Sequence, residues 1–412
     1  MSVQTEIDRI ITAVGAAYDA VEAKGGTAPA AQTIEGLAAA ISGIKSAPAT
    51  PYMDAEYVEE SSLYGEYEYI AHKIRSAKLY NHTAIYANEF NNQTQLRNLD
   101  CSDASNHITT IEYEAFLGTF LGDIQLPATI TALQIRCFAN ATITTLVIPP
   151  LVSELPMRAF SGIWRAVNTQ TGVETPINIV LPSNLTKIGR SCFESAGIAH
   201  IDIPNTVTEI GESAFTCCQD LASIILSPSL QAISNDMLSD CISLTSITIP
   251  ESVTAIGASA FSNSGLTSIT IPSTVTTLGS SAFAGCKSLT SMDIQANVTV
   301  IPDNFALECP LTSLILPNTV HTIGESAFLN IQTLQITELT IPASVIFIGN
   351  NAFNSNNAVQ MTLTVLPTTP PTFGGQAFNL ATGSVIKVPA ASVAAYKSAA
   401  DWSEWADIIV AM

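Results

Sequence analysis

The sequence predicts an α/β repeat solenoid, a right-handed stack of short parallel strands preceded by a small N-terminal helical segment. Three observations predict it. A unit of 22 or 23 residues recurs along most of the 412-residue chain, the apolar residues fall at the same places in each unit, and a proline closes the strand of most units. The stretches 203–226, 249–271, 271–294 and 316–332 share one template, IPxxVTxIGxSAFxxCxxLTSIxI. Self-similarity at this period marks a solenoid, in which each unit buries its apolar face only against its neighbours.

The elements follow in chain order. Val3, Ile7, Ile10, Val14, Ala17 and Val21 step by four and three, an a/d stripe on an otherwise polar helix. Lys24-Gly-Gly-Thr-Ala-Pro29 breaks it, and Ile34, Leu37, Ile41 and Ile44 mark a second helix. Residues 1–46 are therefore expected to form a helical mount that either self-associates through 3–21, as a dimer or trimer, or folds back as a hairpin. Ser46-Ala-Pro-Ala-Thr-Pro51 reads as a stiff linker. With the acidic, tyrosine-rich run from Tyr52 to Tyr69 it makes residues 47–79 a linker and N-terminal cap.

The solenoid is expected over 80–385. Anchors fall at Pro127, Pro149, Pro182, Pro204, Ser227, Pro250, Pro272, Gln295, Pro317, Pro342, Pro367 and Pro389. Eleven residues after an anchor stands a phenylalanine, as at Phe138, Phe160, Phe193, Phe215, Phe261, Phe283, Phe328, Phe353 and Phe378. Leu238 substitutes once, and Phe305 comes one place early. In LTSITIP the alternation points Ile247 and Ile249 inward and Ser246 and Thr248 outward. The glycine of each template is expected to allow a sharp bend before SAF returns on the back face. One unit, from Pro149 to Pro182, is longer by about eleven residues, centred on Gly162-Ile-Trp-Arg-Ala-Val-Asn-Thr-Gln-Thr-Gly-Val-Glu-Thr-Pro176. Insertions in solenoids map to loops, often on the binding face. The last residues, 386–412, read as a C-terminal cap, with Tyr396, Trp402 and Trp405 sealing the final coil.

Composition narrows the function classes. With 15 Lys and Arg against 35 Asp and Glu, the net charge of −20 disfavours nucleic-acid binding. Apolar runs are broken within a few residues, so no membrane insertion is expected, and MSVQTEIDRI shows no secretory signal. Cys218, Cys241, Cys286 and Cys309 each fall 14 residues after an anchor, and Cys137 and Cys192 fall 10 after one. They read as buried free thiols, although the pairs 218/241 and 286/309 lie on consecutive coils where a disulfide could form.

No catalytic motif emerges. GESAF (211–215), GASAF (257–261), GSSAF (279–283) and GESAF (324–328) lack the final glycine of a nucleophile elbow, and their serine recurs at the repeat period. The five histidines show no metal spacing. The chain is expected to be a non-enzyme with no cofactor and no metal. The candidate binding residues are Trp164 and Arg165 in the insertion, residue types that dominate interface hot spots. His200 and Asp202, two apart on one outward strand face, complete the set.

The template IPxxVTxIGxxAFxxCxxLTSIxIP resembles the BspA-like class of leucine-rich repeats, found in bacterial surface and secreted proteins, and IKVPAASVAAYKSAADWSEWADII (386–409) resembles that family's terminal cap. The resemblance covers about residues 80–410 and implies a leucine-rich-repeat-like solenoid that binds protein partners, but no ligand residue carries over. EIDRIITAVGAAYDAVEAKGGTAPAAQTIEGLAAAISGI is similar to short helical modules opening bacteriophage tail and virion proteins of Gram-positive hosts. Together these imply a non-catalytic recognition protein of a prophage tail, displaying the solenoid to a protein or glycan ligand on a cell surface. The alternative is a BspA-like surface adhesin, and the expected locations are accordingly a virion or the bacterial cell surface.

Overall fold

The computed structural model describes residues 76–412, apart from 95, 97, 166–176, 331–335 and 356. The N-terminal helices and the heptad stripe of residues 3–21 lie outside the described residues. Within them the chain winds as a parallel-strand β-solenoid of about 13 turns.

Most coils have two strand-bearing sides and one turn side; the coil through Leu244–Pro250 forms no front strand, although Ile249 is buried there and Ser246 and Thr248 are exposed. The front side carries the longer strands, including Phe120–Ile124, Thr142–Val147, Asn178–Val180, His200–Asp202, Ser223–Ile225, Ser268–Ile271 and Ser291–Ile294. The expected register holds: Thr145 lies beside Asn178, Val147 beside Val180, His200 beside Ser223, and Ser268 beside Ser291. The second side carries two-residue strands, such as Lys187–Ile188, Glu209–Ile210 and Ala255–Ile256, again parallel and in register. Threonines brace this side, since the Thr186 hydroxyl donates to the Ser153 carbonyl at 3.0 Å and that of Thr276 to Thr254 at 3.3 Å.

The third side differs from the α/β expectation. It is a column of turns, not of helices. Helix among the described residues is confined to Ala390–Ser392, Val393–Ser398 and Ser403–Ile408 near the C-terminus. On the turn side two residues per coil, four apart, take left-handed backbone: Ser213 (φ 55°) and Cys217 (φ 59°), Asp236 (φ 52°) and Asp240 (φ 59°), Ser259 (φ 53°) and Asn263 (φ 56°). This conformation lets the phenylalanine between them donate its N–H to the next coil, as Phe193 does to Ala214 and Phe261 to Ala282, both at 2.8 Å. Small polar side chains tolerate the left-handed region well, and Ser, Asn and Asp hold most of these places, with Glu114, Arg136, Arg158, Cys217 and Glu308 among the exceptions.

The template glycine has another reason than the expected bend. Gly211, Gly257, Gly279 and Gly324 do not have positive φ. A Cβ on Gly279 would stand 2.2 Å from the Ala258 nitrogen, and one on Gly211 would stand 2.5 Å from that of Arg190. The glycine is there because the coil beneath passes too close for any side chain.

The core is a row of aromatic rings. Phe90, Phe116, Phe138, Phe160, Phe193 and Phe215 stack face to face with centroids 5.0–5.4 Å apart. The row lapses at Leu238 and resumes with Phe261 and Phe283 at 5.1 Å. Phe305, one position early, meets its neighbours edge-on, at 5.4 Å from Phe283 and 6.3 Å from Phe328. Phe328, Phe353 and Phe378 stack again at 5.3 and 5.2 Å. Trp402 and Trp405 then close the end of the row over Phe378. Their polar edges are satisfied, with Trp402 Nε1 donating to the Pro371 carbonyl and the Tyr396 hydroxyl to that of Pro367, both at 2.8 Å.

Beside the rings runs a row of thiols, all eight of them free. Cys218, Cys241, Cys286 and Cys309 each donate from Sγ to the carbonyl of the phenylalanine one coil back, at 3.0–3.2 Å. Burial pushes the Cys241 thiol up to about 12 and raises Cys218 and Cys192 as well. These thiols are small core residues with one satisfied donor, not reactive centres.

Candidate functional site

The insertion leaves the solenoid from the middle of a front strand. Trp164 and Arg165 pair with Thr142 and Ile143 of the preceding coil. After the excursion, Asn178–Val180 resumes the same ladder against Thr145–Val147. The residues on either side of the insertion thus pair with one and the same front strand of the preceding coil. Both stems are held from above as well, by Ile177 bridging Ile198 and by the Gly197 N–H donating to the Ile163 carbonyl at 2.9 Å.

Of the predicted pair only Trp164 is presented to solvent. It is 60% exposed, and the residue before it, Ile163, is buried. Arg165 is held inward. Its Nη2 lies 2.7 Å from Asp220 Oδ2, two coils further on, and its Nε donates to the Gly197 carbonyl at 3.1 Å.

His200 and Asp202 sit on the next coil of the same face. His200 Nε2 is 2.9 Å from Asp202 Oδ1, and its Nδ1 is 2.6 Å from the Ser223 hydroxyl on the following coil. A Ser–His–Asp row on a strand face invites a catalytic reading, and the surroundings argue against it. Both partners are more than half exposed, so the carboxylate is solvated and can do little to stabilise an imidazolium. The Ser223 N–H is committed to the Ala199 carbonyl, and the flat face offers no pair of inward N–H groups for an oxyanion. The row is a hydrogen-bonding patch.

Around it the face is partly apolar. Val147, Val180 and Ile225 stand exposed in one column, with Asp202 between the last two. Further along, the same column reads Thr270, Asp293 and Ile315. The candidate site is therefore the front of the coils between Thr142 and Ile225, where exposed apolar side chains, the Trp164 ring and the His200 patch share one surface. The recurrent serines of the GxSAF segments do not join it. Ser213, Ser259, Ser281 and Ser326 hold left-handed turns on the third side. Among the described residues no cluster of His, Cys, Asp and Glu could hold a metal ion, and no helix is long and apolar enough to cross a membrane.

Asp220 and Gly197 were not legible as site residues beforehand. The signal that could have found them is the insertion itself, because its stem must be fastened to the coils that follow.

The BspA type leucine rich repeat region matches in six copies, over residues 66–167, 171–265 and 254–384. No functionally curated protein matches the chain. Among solved structures, a leucine-rich repeat protein from Bacteroides ovatus is 23% identical over 74% of this chain and 88% of its own, with a TM-score of 0.45. A leucine rich cell surface protein from Faecalibacterium prausnitzii is also 23% identical, over 67% of this chain and 75% of its own, with a TM-score of 0.42. A leucine-rich repeat protein from Eubacterium ventriosum is 18% identical over 69% of this chain and 91% of its own, with a TM-score of 0.40.

Proposed function

Because the chain belongs to the BspA-type leucine-rich repeat family, we propose that it is a non-catalytic recognition protein that binds a protein partner through the front face of its coils between Thr142 and Ile225. The observation that carries the reading is the exposure of Trp164, Val147, Val180 and Ile225 on the front strands of neighbouring coils. A Trp with a rim of aliphatic and hydrogen-bonding residues is the composition of an interface core. The rest of the front face, rich in Ser and Thr, would form the surrounding rim. The family is one of bacterial surface and secreted proteins, and this favours a surface adhesin over a prophage tail protein. The tail reading rests on residues 1–46, which lie outside the described residues, and no finding above adds to it.

The test is binding of the labelled full chain to whole bacterial cells and to immobilised host matrix proteins. Replacing Trp164 by Ala should reduce capture by at least tenfold, as removal of a central aromatic anchor costs about 2 kcal/mol or more. The same replacement should leave the unfolding midpoint unchanged, since the side chain is exposed. Undiminished capture by Trp164→Ala would remove the proposed site.

A further inference from the structure

We propose that His82 and Glu89 form a pH-sensitive latch on the first described coil, holding that coil closed in acid and loosening it as the pH rises. The inference is independent of the recognition reading above.

The repeat itself marks the pair as out of place. The pairing of Ile85 with Ile111, and of Ile111 with Leu133, fixes which positions of successive coils correspond, as does the Phe90 N–H donating to the Ala115 carbonyl. On that register His82 takes the inward slot filled by Ile108, Ile130 and Val152 in the next three coils. Glu89 takes the slot filled there by Ala115, Cys137 and Ala159. Two slots that are apolar in those coils therefore hold a base and an acid, and the two side chains are only 0% and 8% exposed. A buried ionisable pair gains little stability over apolar side chains of similar size, so stability alone does not account for it.

The geometry leaves one proton to decide the contact. His82 Nδ1 lies 2.9 Å from the Tyr80 carbonyl and Nε2 lies 2.9 Å from Glu89 Oε1, so both ring nitrogens face acceptors. The carbonyl takes the Nδ1 hydrogen, and Nε2 and Oε1 close only with a proton between them. The second carboxyl oxygen, Oε2, accepts the Tyr86 N–H at 2.8 Å. Removing the shared proton sets a lone pair against a carboxylate in a buried site.

The titratable groups that face the pair do not relieve this. Glu112 of the next coil adds negative charge beside Glu89, and its own carboxylate accepts the Ala87 N–H at 3.0 Å. Cys101, which also faces Asp100, stays a thiol because burial pushes it up to about 12. The Tyr86 ring lies 5.5 Å from that of His82, and Tyr80 meets His82 through its carbonyl. His107 donates its backbone N–H to the His82 carbonyl at 2.7 Å and turns its ring to the Ser105 carbonyl. None of these sets a cation against the carboxylate. Burial accordingly raises Glu89 above the ordinary carboxylate range, with the bonds from Tyr86 and His82 opposing. A group raised on folding contributes stability that is complete below its ordinary value and is lost as the pH rises through the raised one. The latch therefore closes in acid and weakens as the pH rises. Its release is local, because a coil is coupled only to its neighbours. Opening uncovers the Phe116 ring, which stacks on Phe90, and the edge of Thr110–Ile111, which pairs with Ala84–Ile85.

The test is hydrogen exchange on the full chain between about pH 4.5 and about pH 8, a range that spans the ordinary Glu and His values. The Phe90 amide, which donates to Ala115 at 2.8 Å, reads the latch. The Phe261 amide, which donates to Ala282 at 2.8 Å, is the internal reference for the pH dependence of exchange itself. Protection of Phe90 relative to Phe261 should fall at least about tenfold across the range, with a slope of at most about tenfold per pH unit for one proton. Glu89→Gln should stay closed and flatten this fall to less than about twofold, because an amide donates to Nε2 and accepts the Tyr86 N–H without titrating. The double variant His82→Val with Glu89→Ala, which restores the kind of residue the next coils use, should also be flat. A relative protection that is constant or rises with pH in the parent overturns the latch. So does either variant if it keeps the full pH dependence. A Glu89→Gln coil that is open at every pH overturns it as well, since the pair would then be packing and not a proton switch.

Discussion

Truncating one ring of the core row tests how the solenoid holds together. Phe138 is fully buried and lies between two parallel neighbours, with its centroid 5.0 Å from that of Phe116 and 5.3 Å from that of Phe160. Phe138→Ala removes the ring from both stacks and leaves a cavity that a β-coil cannot collapse around, because the ladders on its sides hold the coils apart. The loss should be about 3–5 kcal/mol, in the upper half of that range for a ring with two stacked partners. Phe138→Leu should cost far less, about 1–2 kcal/mol, because the row already accepts Leu238 at this slot with full burial. Guanidinium denaturation followed by circular dichroism reads the difference. Hydrogen exchange should place the new opening in the coils on either side of Phe138 and leave those beyond Phe261 protected, as nearest-neighbour coupling requires. If the Ala and Leu variants fall within 1 kcal/mol of each other, or exchange rises uniformly along the chain, the ring row is not what stabilises neighbouring coils.

Other predictions follow the same logic. Gly279→Ala places a Cβ 2.2 Å from the Ala258 nitrogen and should cost at least about 2 kcal/mol, whereas Ser281→Gly, two residues on at φ 59°, should stabilise by about 0.5–1 kcal/mol; thermal unfolding compares them. The buried thiols predict an alkaline weakness. Burial holds Cys241 protonated up to about 12, while the unfolded chain releases the same proton near 8.5, so this contribution to stability is complete below about pH 8.5 and is lost as pH rises toward 12. Cys241→Ala should flatten the decline measured by denaturation at pH 8 to 11, and a thiol reagent at pH 8 should label the half-buried Cys217 first and the core thiols only on unfolding.

The repeat made the core legible to the residue. Each anchor, each inward Ile or Val and each Phe was placed by counting, and even the early Phe305 announced a change that appears as an edge-on ring. What counting could not supply was the reason for a residue whose role depends on the next coil. The glycine that suggested a bend is there for close approach, and the serine that suggested a nucleophile elbow is there for its left-handed backbone. Both facts belong to contacts between coils, which a single unit does not show. The same limit applies to the site. Trp164 was visible as an unusual residue in an unusual segment, but the commitment of Arg165 to Asp220 depends on a neighbour two coils away. The back of the coil carries turns, because a 22-residue coil with two strands and paired left-handed turns leaves no length for a helix.

The central claim is that the front face of the coils from Thr142 to Ile225 is the surface that meets a partner. Hydrogen exchange on the full chain, free and bound to the cell-surface protein it captures, tests this most directly. The account predicts slowed exchange on binding at Thr142–Val147, Asn178–Val180, His200–Asp202 and Ser223–Ile225, together with the insertion between them. Slowed exchange confined to the turn side, to the second strand side or to the C-terminal cap from Val385 onward would contradict it.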